Sequence, residues 1–197
     1  MRKDTTARLL VLALALLAFA APGCIFSPDT GDTNPTNPPE YVFASTAEKL
    51  MQNFSTAYTR LDAATYRDML DTRFQFYYTD GTDHDYNTEV RIAENMFSGD
   101  PPTNPGNGST NNGIRSVNVD KILPLEGWVN VSASHPDFGG ISGAKRGFYD
   151  VQFIFHHDAG TITVTSTQFF YAVPLQIIVD GETKTEWKLL GQEDIAK

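Results

Sequence analysis

Histidine and carboxylate side chains are the groups in this sequence that could carry acid–base or metal chemistry, and few of them are grouped. His84 lies between Asp83 and Asp85, an arrangement that could orient a water molecule. The same arrangement is typical of a solvated charge cluster, which is what we expect here. His156 and His157 suggest a metal-binding pair, yet adjacent side chains of a strand point to opposite faces, so the two cannot chelate one ion. We therefore predict no metal site.

Sequence motifs that identify the common enzyme chemistries are absent. The chain contains no H-x-x-x-H pair, no G-x-S-x-G motif, no phosphate-binding P-loop and no dinucleotide-binding glycine pattern. Cys24 is the only cysteine, which excludes an internal disulfide, a second thiol that could act as nucleophile, and a thiolate metal site. From these patterns we assign no catalytic residue and no cofactor.

The amino terminus has the pattern of a bacterial lipoprotein signal. A basic start is followed by an apolar run over 9–21, which has signal-peptide length and is short for a helix that spans a bilayer. The run ends in Ala21-Pro22-Gly23-Cys24, which resembles the lipobox in which signal peptidase cuts before the cysteine. We expect residues 1–23 to be a signal peptide and Cys24 to carry the lipid, palmitate included. The alternative is an ordinary secretory signal with an incidental cysteine.

The same segment predicts where the protein is found. A lipid on Cys24 would hold the protein on a membrane of the bacterial cell envelope. Ile25 stands where an aspartate is associated with retention in the inner membrane, which favours the outer membrane in a Gram-negative cell. Residues 24–40 are rich in Pro, Asn and Thr and predict a disordered tether before one domain over 41–197. The net charge of −9 is spread along the chain and argues against nucleic-acid binding.

Two helices and an aromatic strand are predicted at the start of the domain. Ser45 and Glu48 form an S-x-x-E capping box, and apolar residues at i, i+3, i+4 and i+7 spacing predict a helix over 45–61. A second, shorter helix is predicted over 63–70, and alternation of aromatic and polar residues predicts a strand over 73–79.

The remainder of the domain changes from helical to strand patterns. A third helix over 88–97 follows a polar loop over 82–87, and a long loop follows over 98–113. Strands are then predicted at 114–123, 127–134, 147–157, 161–171, 175–179 and 183–190. Asp180-Gly181 is a favoured two-residue hairpin turn. This order predicts an α+β fold with the helices on one face of a sheet.

Three groups of residues match a known packing pattern. They are the link YTRLD at 58–62 between the first two helices, the strand FQFYY at 74–78, and the close EWKLL at 186–190 before a polar tail. Together they resemble the NTF2-like superfamily, which shares its cystatin-like fold among nuclear transport factor 2, scytalone dehydratase, ketosteroid isomerase and SnoaL-type cyclases. The resemblance covers 41–197. It implies a cone in which three N-terminal helices pack on a curved, mostly antiparallel sheet.

The resemblance also implies a pocket between the helices and the sheet. Six residues are candidates for lining it: Tyr58, Tyr66, Tyr78, Tyr149, His156 and Gln168. For the tyrosines, the alternative is ordinary core packing, which a chain with eight tyrosines would show in any case.

These residues do not form a complete catalytic set of the kinds found in this superfamily. An isomerase pattern could use Tyr58 with Asp80 or Asp83 as base, but no second acid is placed to complete it. Asp150 lies inside a strongly predicted strand, where alternation turns it away from Tyr149. A dehydratase pattern would need His84 out of its polar loop.

The sequence thus favours a non-catalytic domain that binds a small apolar ligand or a protein partner. Two alternatives remain: an acid–base enzyme of the isomerase, dehydratase or cyclase type, and a structural module that forms a homodimer through the open face of the sheet. The base of the cone distinguishes them, since a buried acid or histidine near Tyr58 would favour an enzyme.

Overall fold

The structure is a computed structural model that describes residues 40–100 and 113–195. The predicted signal peptide, Cys24, the tether as far as residue 39 and the loop residues 101–112 lie outside the described residues. No helix in the described part of the chain is long and apolar enough to cross a membrane.

Two helices open the domain, as predicted. Helix α1 spans Ala47–Arg60, and the side chain of Thr46 caps it by accepting a hydrogen bond from the Lys49 amide at 3.3 Å. The predicted capping box on Ser45 is therefore wrong, because the helix is capped by the next residue, Thr46. The Ser45 hydroxyl instead accepts from the Lys49 ammonium group. Helix α2 spans Ala63–Met69, and Asp62 caps it as predicted.

A short strand replaces half of the predicted loop over 82–87. Strand β1 spans Leu70–Tyr77, and β2, Asp83–Asp85, returns antiparallel to it. Helix α3 follows at once as Tyr86–Phe97, capped by the Asp85 carboxylate. The three-residue strand is too short to show an alternation pattern in the sequence, and its pairing with β1 creates it.

Four long strands complete one six-stranded sheet. They are β3 (Ile114–Asn130), β4 (Lys145–His157), β5 (Gly160–Val179) and β6 (Glu182–Ile195). The strand order is β2-β1-β6-β5-β4-β3. All neighbours are antiparallel except β1 and β6, which run parallel. The predicted α+β class, with three helices on a curved and mostly antiparallel sheet, is confirmed.

Two pairs of predicted strands are in fact single strands. The segment 114–123 and the first four residues of 127–134 belong to β3, which lies at the edge of the sheet and accommodates Pro124 and Gly127 through register shifts. The predicted strand residues 131–134 lie outside it. Strand β5 likewise continues through Pro174, because β4 has ended by that point and β5 pairs there only with β6. The hairpin at Asp180-Gly181 is confirmed, with both residues at positive φ.

The main core lies between the helices and one face of the sheet. Its most buried large side chains include Leu50, Tyr66, Phe74, Val151 and Phe170. A smaller cluster forms on the other face, where the segment between β3 and β4 places Phe138 against Tyr171 and Leu190. That segment therefore covers part of the sheet face that the sequence leaves open.

Candidate functional site

A cavity of about 210 Å³ lies between α1, α3 and the concave face of the sheet. Its apolar walls are formed largely by Phe54, Phe76, Ile92, Met96, Phe153 and Phe155. Its polar groups are Tyr58, Tyr78, His84, Glu89, Gln168 and Gln192. Ile92 and Val164 at the rim are 40% and 42% exposed, so the cavity opens to solvent through an apolar mouth.

The buried carboxylate of Glu89 makes hydrogen bonds with two other polar side chains beside this cavity. Glu89 is 7% exposed and lies in the first turn of α3, where the helix dipole favours a negative charge. One carboxylate oxygen accepts a hydrogen bond from the Tyr66 hydroxyl at 2.6 Å, and the other lies 2.6 Å from Nε2 of His84. A carboxylate can only accept, so we assign the Nε2 proton to His84. In the neutral ring, Nδ1 is then left without a proton and can act as an acceptor.

His84 belongs to the cavity and not to a solvated cluster, so the expectation from the sequence was wrong. Its side chain is only 9% exposed, and its ring stacks on Phe76 with centroids 5.1 Å apart and planes 6° apart. Alternation along β2 turns the flanking Asp83 and Asp85 to the exposed side. Among the described residues, no group makes a hydrogen bond to Nδ1 of His84.

Tyr58 of α1 lines the cavity, whereas Tyr66 of α2 is fully buried in the core and is not one of the lining residues. The rings of Tyr58 and Tyr66 meet edge to face with centroids 5.5 Å apart. Burial, and then the neighbouring tyrosine and Glu89, raise the pKa of Tyr66 well above its ordinary value. Burial and then the charge of Glu89 likewise raise the pKa of Tyr58. Both phenols stay protonated at neutral pH and can donate hydrogen bonds.

The remaining residues proposed from the sequence lie at different places. Tyr78 and Gln168 line the cavity, and the Gln168 amide donates to Asp194 at 2.7 Å. Tyr149 lines a separate groove between α1 and β3. His156 pairs in register with Ser116 and Thr161 and, by alternation from Phe155, faces away from the cavity.

The carboxylates that the sequence offered as bases do not reach the cavity. Asp80 and Asp83 are exposed, and Asp150 pairs with Lys121 on the outer face of the sheet. In the described parts of the chain, no group of three or more His, Cys, Asp or Glu side chains could hold a metal ion.

Sequence reasoning missed Glu89 and Gln192. Glu89 precedes the inward-facing Ala93 and Phe97 by four and eight residues, which is helical spacing and could have placed it on the buried face of α3. Gln192 lies in the polar end of β6, where neither residue type nor spacing distinguishes it from the polar residues Glu193 and Asp194 that follow it.

Three helices rest on the concave face of an unclosed, mixed sheet of six strands, with a cavity between the two layers. The fold is NTF2-like. No family model matches the sequence, and no curated protein matches it.

Solved NTF2-like structures match this NTF2-like domain at low sequence identity. A protein of unknown function in nutrient uptake from Rhodospirillum rubrum matches with 9% identity and a TM-score of 0.44, over 76% of this chain and 96% of its own. An NTF2-like protein from Cytophaga hutchinsonii matches with 11% identity and a TM-score of 0.44, over 76% and 94%. One from Salmonella enterica gives 13% identity and 0.42, over 76% and 88%.

Proposed function

We propose that the NTF2-like domain binds a small, largely apolar ligand in the cavity between α1, α3 and the sheet. The observation that carries this proposal is a cavity with aromatic and aliphatic walls, an open apolar mouth and a few polar groups that converge on it. Sites of this composition are typical of small-molecule binding. The polar end of the ligand would face the side of the cavity that holds His84, Glu89 and Gln192.

The volume limits the ligand to the size of about one substituted ring. Drug-sized ligands occupy pockets of roughly 300–1,000 Å³, and this cavity holds about 210 Å³. The exposed Ile92 and Val164 at the mouth extend the apolar surface beyond the cavity, so a longer apolar substituent could lie across them.

Methionine methyl groups give a direct test of where a probe binds. Met96 lines this cavity, whereas Met51 lines the separate groove between α1 and β3. Titration of methyl-labelled protein with ethylbenzene should shift the Met96 resonance and leave the Met51 resonance in place. Saturation at Met51 alone, or at neither residue, would contradict the proposal.

A pair of tryptophan variants on one strand provides the control. Val164→Trp at the cavity rim should block the mouth and abolish the Met96 shift. Ile178→Trp, on the same strand at a side chain that is 79% exposed, should leave the titration unchanged. Equal effects of the two variants would mean that the probe binds elsewhere.

Acid–base catalysis is the second candidate, favoured by the contact between His84 and Glu89. A carboxylate that fixes the tautomer of a buried histidine leaves its other nitrogen free to take a proton, which is the arrangement of a general base. If so, the domain would accelerate deuterium exchange at the methyl group of acetophenone in D₂O, and His84→Gln would slow it by roughly 10²–10⁴-fold. Equal exchange rates for the wild type and this variant would exclude His84 as the base.

We also propose that the protein is a lipoprotein of the bacterial cell envelope, held by a lipid on Cys24 and favouring the outer membrane in a Gram-negative cell. The support is the apolar run that ends in Ala21-Pro22-Gly23-Cys24. Cells that express the full chain should incorporate labelled palmitate into it, and Cys24→Ser should abolish the labelling. Labelling of both proteins, or of neither, would contradict the proposal.

A further inference from the structure

We infer that the amide of Gln192 anchors the ligand of this cavity, and that the ligand presents to it the oxygen of a neutral carbonyl group. The inference rests on the proposed binding function and adds the chemistry of the ligand and the residue that selects it.

Gln192 is a buried donor that the protein leaves unpaired. The residue is 4% exposed and lines the cavity, and its Nε2 has no hydrogen-bond partner in the structure. A buried donor without a partner lowers stability, so such groups are rare unless a ligand or a water molecule completes them. Gln192 lines the cavity, so a ligand bound there could supply the missing acceptor.

The register of the sheet places Gln192 and His84 on one row. Phe76 of β1 pairs with His84 of β2 on one side and with Gln192 of β6 on the other. Neighbouring strands lie about 4.8 Å apart, so the backbones of His84 and Gln192 are separated by about 10 Å. The ring of Phe76 lies between them, and all three side chains line the cavity. A single-ring ligand over Phe76 would reach both polar groups.

Of the two glutamines that line the cavity, Gln192 is the one whose amide is unpaired. The Gln168 amide already donates to Asp194, and the carboxylate of Glu89 is already bonded by Tyr66 and His84. An acceptor oxygen on the ligand therefore complements the unpaired amide, whereas a second donor would not.

The charges around the cavity favour a neutral ligand. Burial, followed by the negative charges of Glu89 and Asp194, raises the pKa of Tyr78 at the mouth. A ligand carboxylate would meet the same two charges, so a ketone, an aldehyde, an ester or an amide fits better than an acid.

Three probes with one ring each separate these possibilities: ethylbenzene, acetophenone and benzoate. Dissociation constants from the Met96 titration should show acetophenone roughly fivefold to tenfold tighter than ethylbenzene, which is the effect of one hydrogen bond. Benzoate should bind more weakly than acetophenone. Gln192→Leu should bring the ratio of the ethylbenzene and acetophenone dissociation constants to about one, and Gln192→Met serves the same purpose if the leucine variant does not fold.

Each outcome of this experiment is decisive. Equal affinity for ethylbenzene and acetophenone would overturn the role of Gln192 and would assign water as the hydrogen-bond partner of its amide. The proposed binding function would remain intact. A preference for acetophenone that persists in Gln192→Leu assigns the oxygen to another group and overturns the inference. Tighter binding of benzoate than of acetophenone would contradict the inference that the ligand is neutral. If no probe shifts Met96, the proposed function itself fails.

Discussion

The imidazole of His84 lies parallel to the ring of Phe76 and 5.1 Å from it, while its Nε2 is held 2.6 Å from the buried carboxylate of Glu89. The stacking and the hydrogen bond fix the ring in two directions, since one restrains its plane and the other its rotation within that plane. His84 is thus a positioned group on the cavity wall, and its orientation depends on Glu89.

Removal of the Glu89 carboxylate should destabilise the fold. In Glu89→Leu the Tyr66 hydroxyl and the His84 ring both lose their acceptor inside the protein. Each unpaired buried group costs about 1–3 kcal/mol, so with two such groups the free energy of unfolding should fall by roughly 2–6 kcal/mol. Glu94→Leu, on the exposed side of the same helix, is the matched control. Denaturant unfolding measures both, and similar losses would show that the hydrogen bonds of Glu89 contribute nothing.

The stability of the protein should fall at alkaline pH. Burial raises the pKa of Tyr149 from its ordinary value of 10.0 to about 12. The folded state therefore holds this proton more tightly than the unfolded state. The resulting stabilisation is complete below pH 10 and is lost as the pH rises towards 12. The free energy of unfolding of Tyr149→Phe should decrease less over this interval than that of the wild type. Parallel curves would contradict the shift.

A methyl group at Gly191 should be poorly tolerated. A Cβ at this position of β6 would lie 2.6 Å from Cζ of Phe138 and 2.7 Å from the backbone oxygen of Gln75. Because the carbonyl cannot move away as a flexible side chain could, Gly191→Ala should cost roughly 1–3 kcal/mol of stability. Gly127→Ala in β3, where a Cβ meets nothing within 4 Å, is the control. A thermal shift of equal size in both variants would exclude the close contact as the cause.

Thr46, and not Ser45, should be the residue whose loss weakens α1. The Thr46 hydroxyl accepts from the Lys49 amide at the start of the helix. Thr46→Ala should therefore lower the free energy of unfolding by about 1 kcal/mol. Ser45→Ala removes only an exposed contact with the Lys49 side chain and should change it by less than about 0.5 kcal/mol. A larger loss for Ser45→Ala than for Thr46→Ala in denaturant unfolding would support the capping box predicted from the sequence.

The arrangement of the helices could be predicted because their signals are local. The apolar stripe of α1, the Asp62 cap and the aromatic alternation of β1 depend on residues a few positions apart. The strands after residue 113 were found for the same reason. Their true lengths were not, because Pro124 and Pro174 break a strand locally, and only the pairing of neighbouring strands shows that the chain continues through them.

The residues of the site were harder to predict. Tyr58, Tyr78 and Gln168 could be proposed from the resemblance, and they line the cavity, as His84 does. His84, however, looked solvated between two aspartates, because the sequence contains no signal for a strand of three residues. Its burial depends on Phe76, which lies eight positions earlier in the chain.

The sequence by itself determined the class of fold and the position of the helices, since both follow from short-range periodicity. It also predicts a lipid anchor at Cys24 from a contiguous motif. Only the tertiary structure decided which polar groups meet. Glu89 faces inward on α3, His84 lies on β2, and Gln192 lies on β6, more than 100 positions later in the sequence. Hydrogen bonds depend on distances between atoms of different elements, and these distances are fixed when the helices pack on the sheet and the strands take their register.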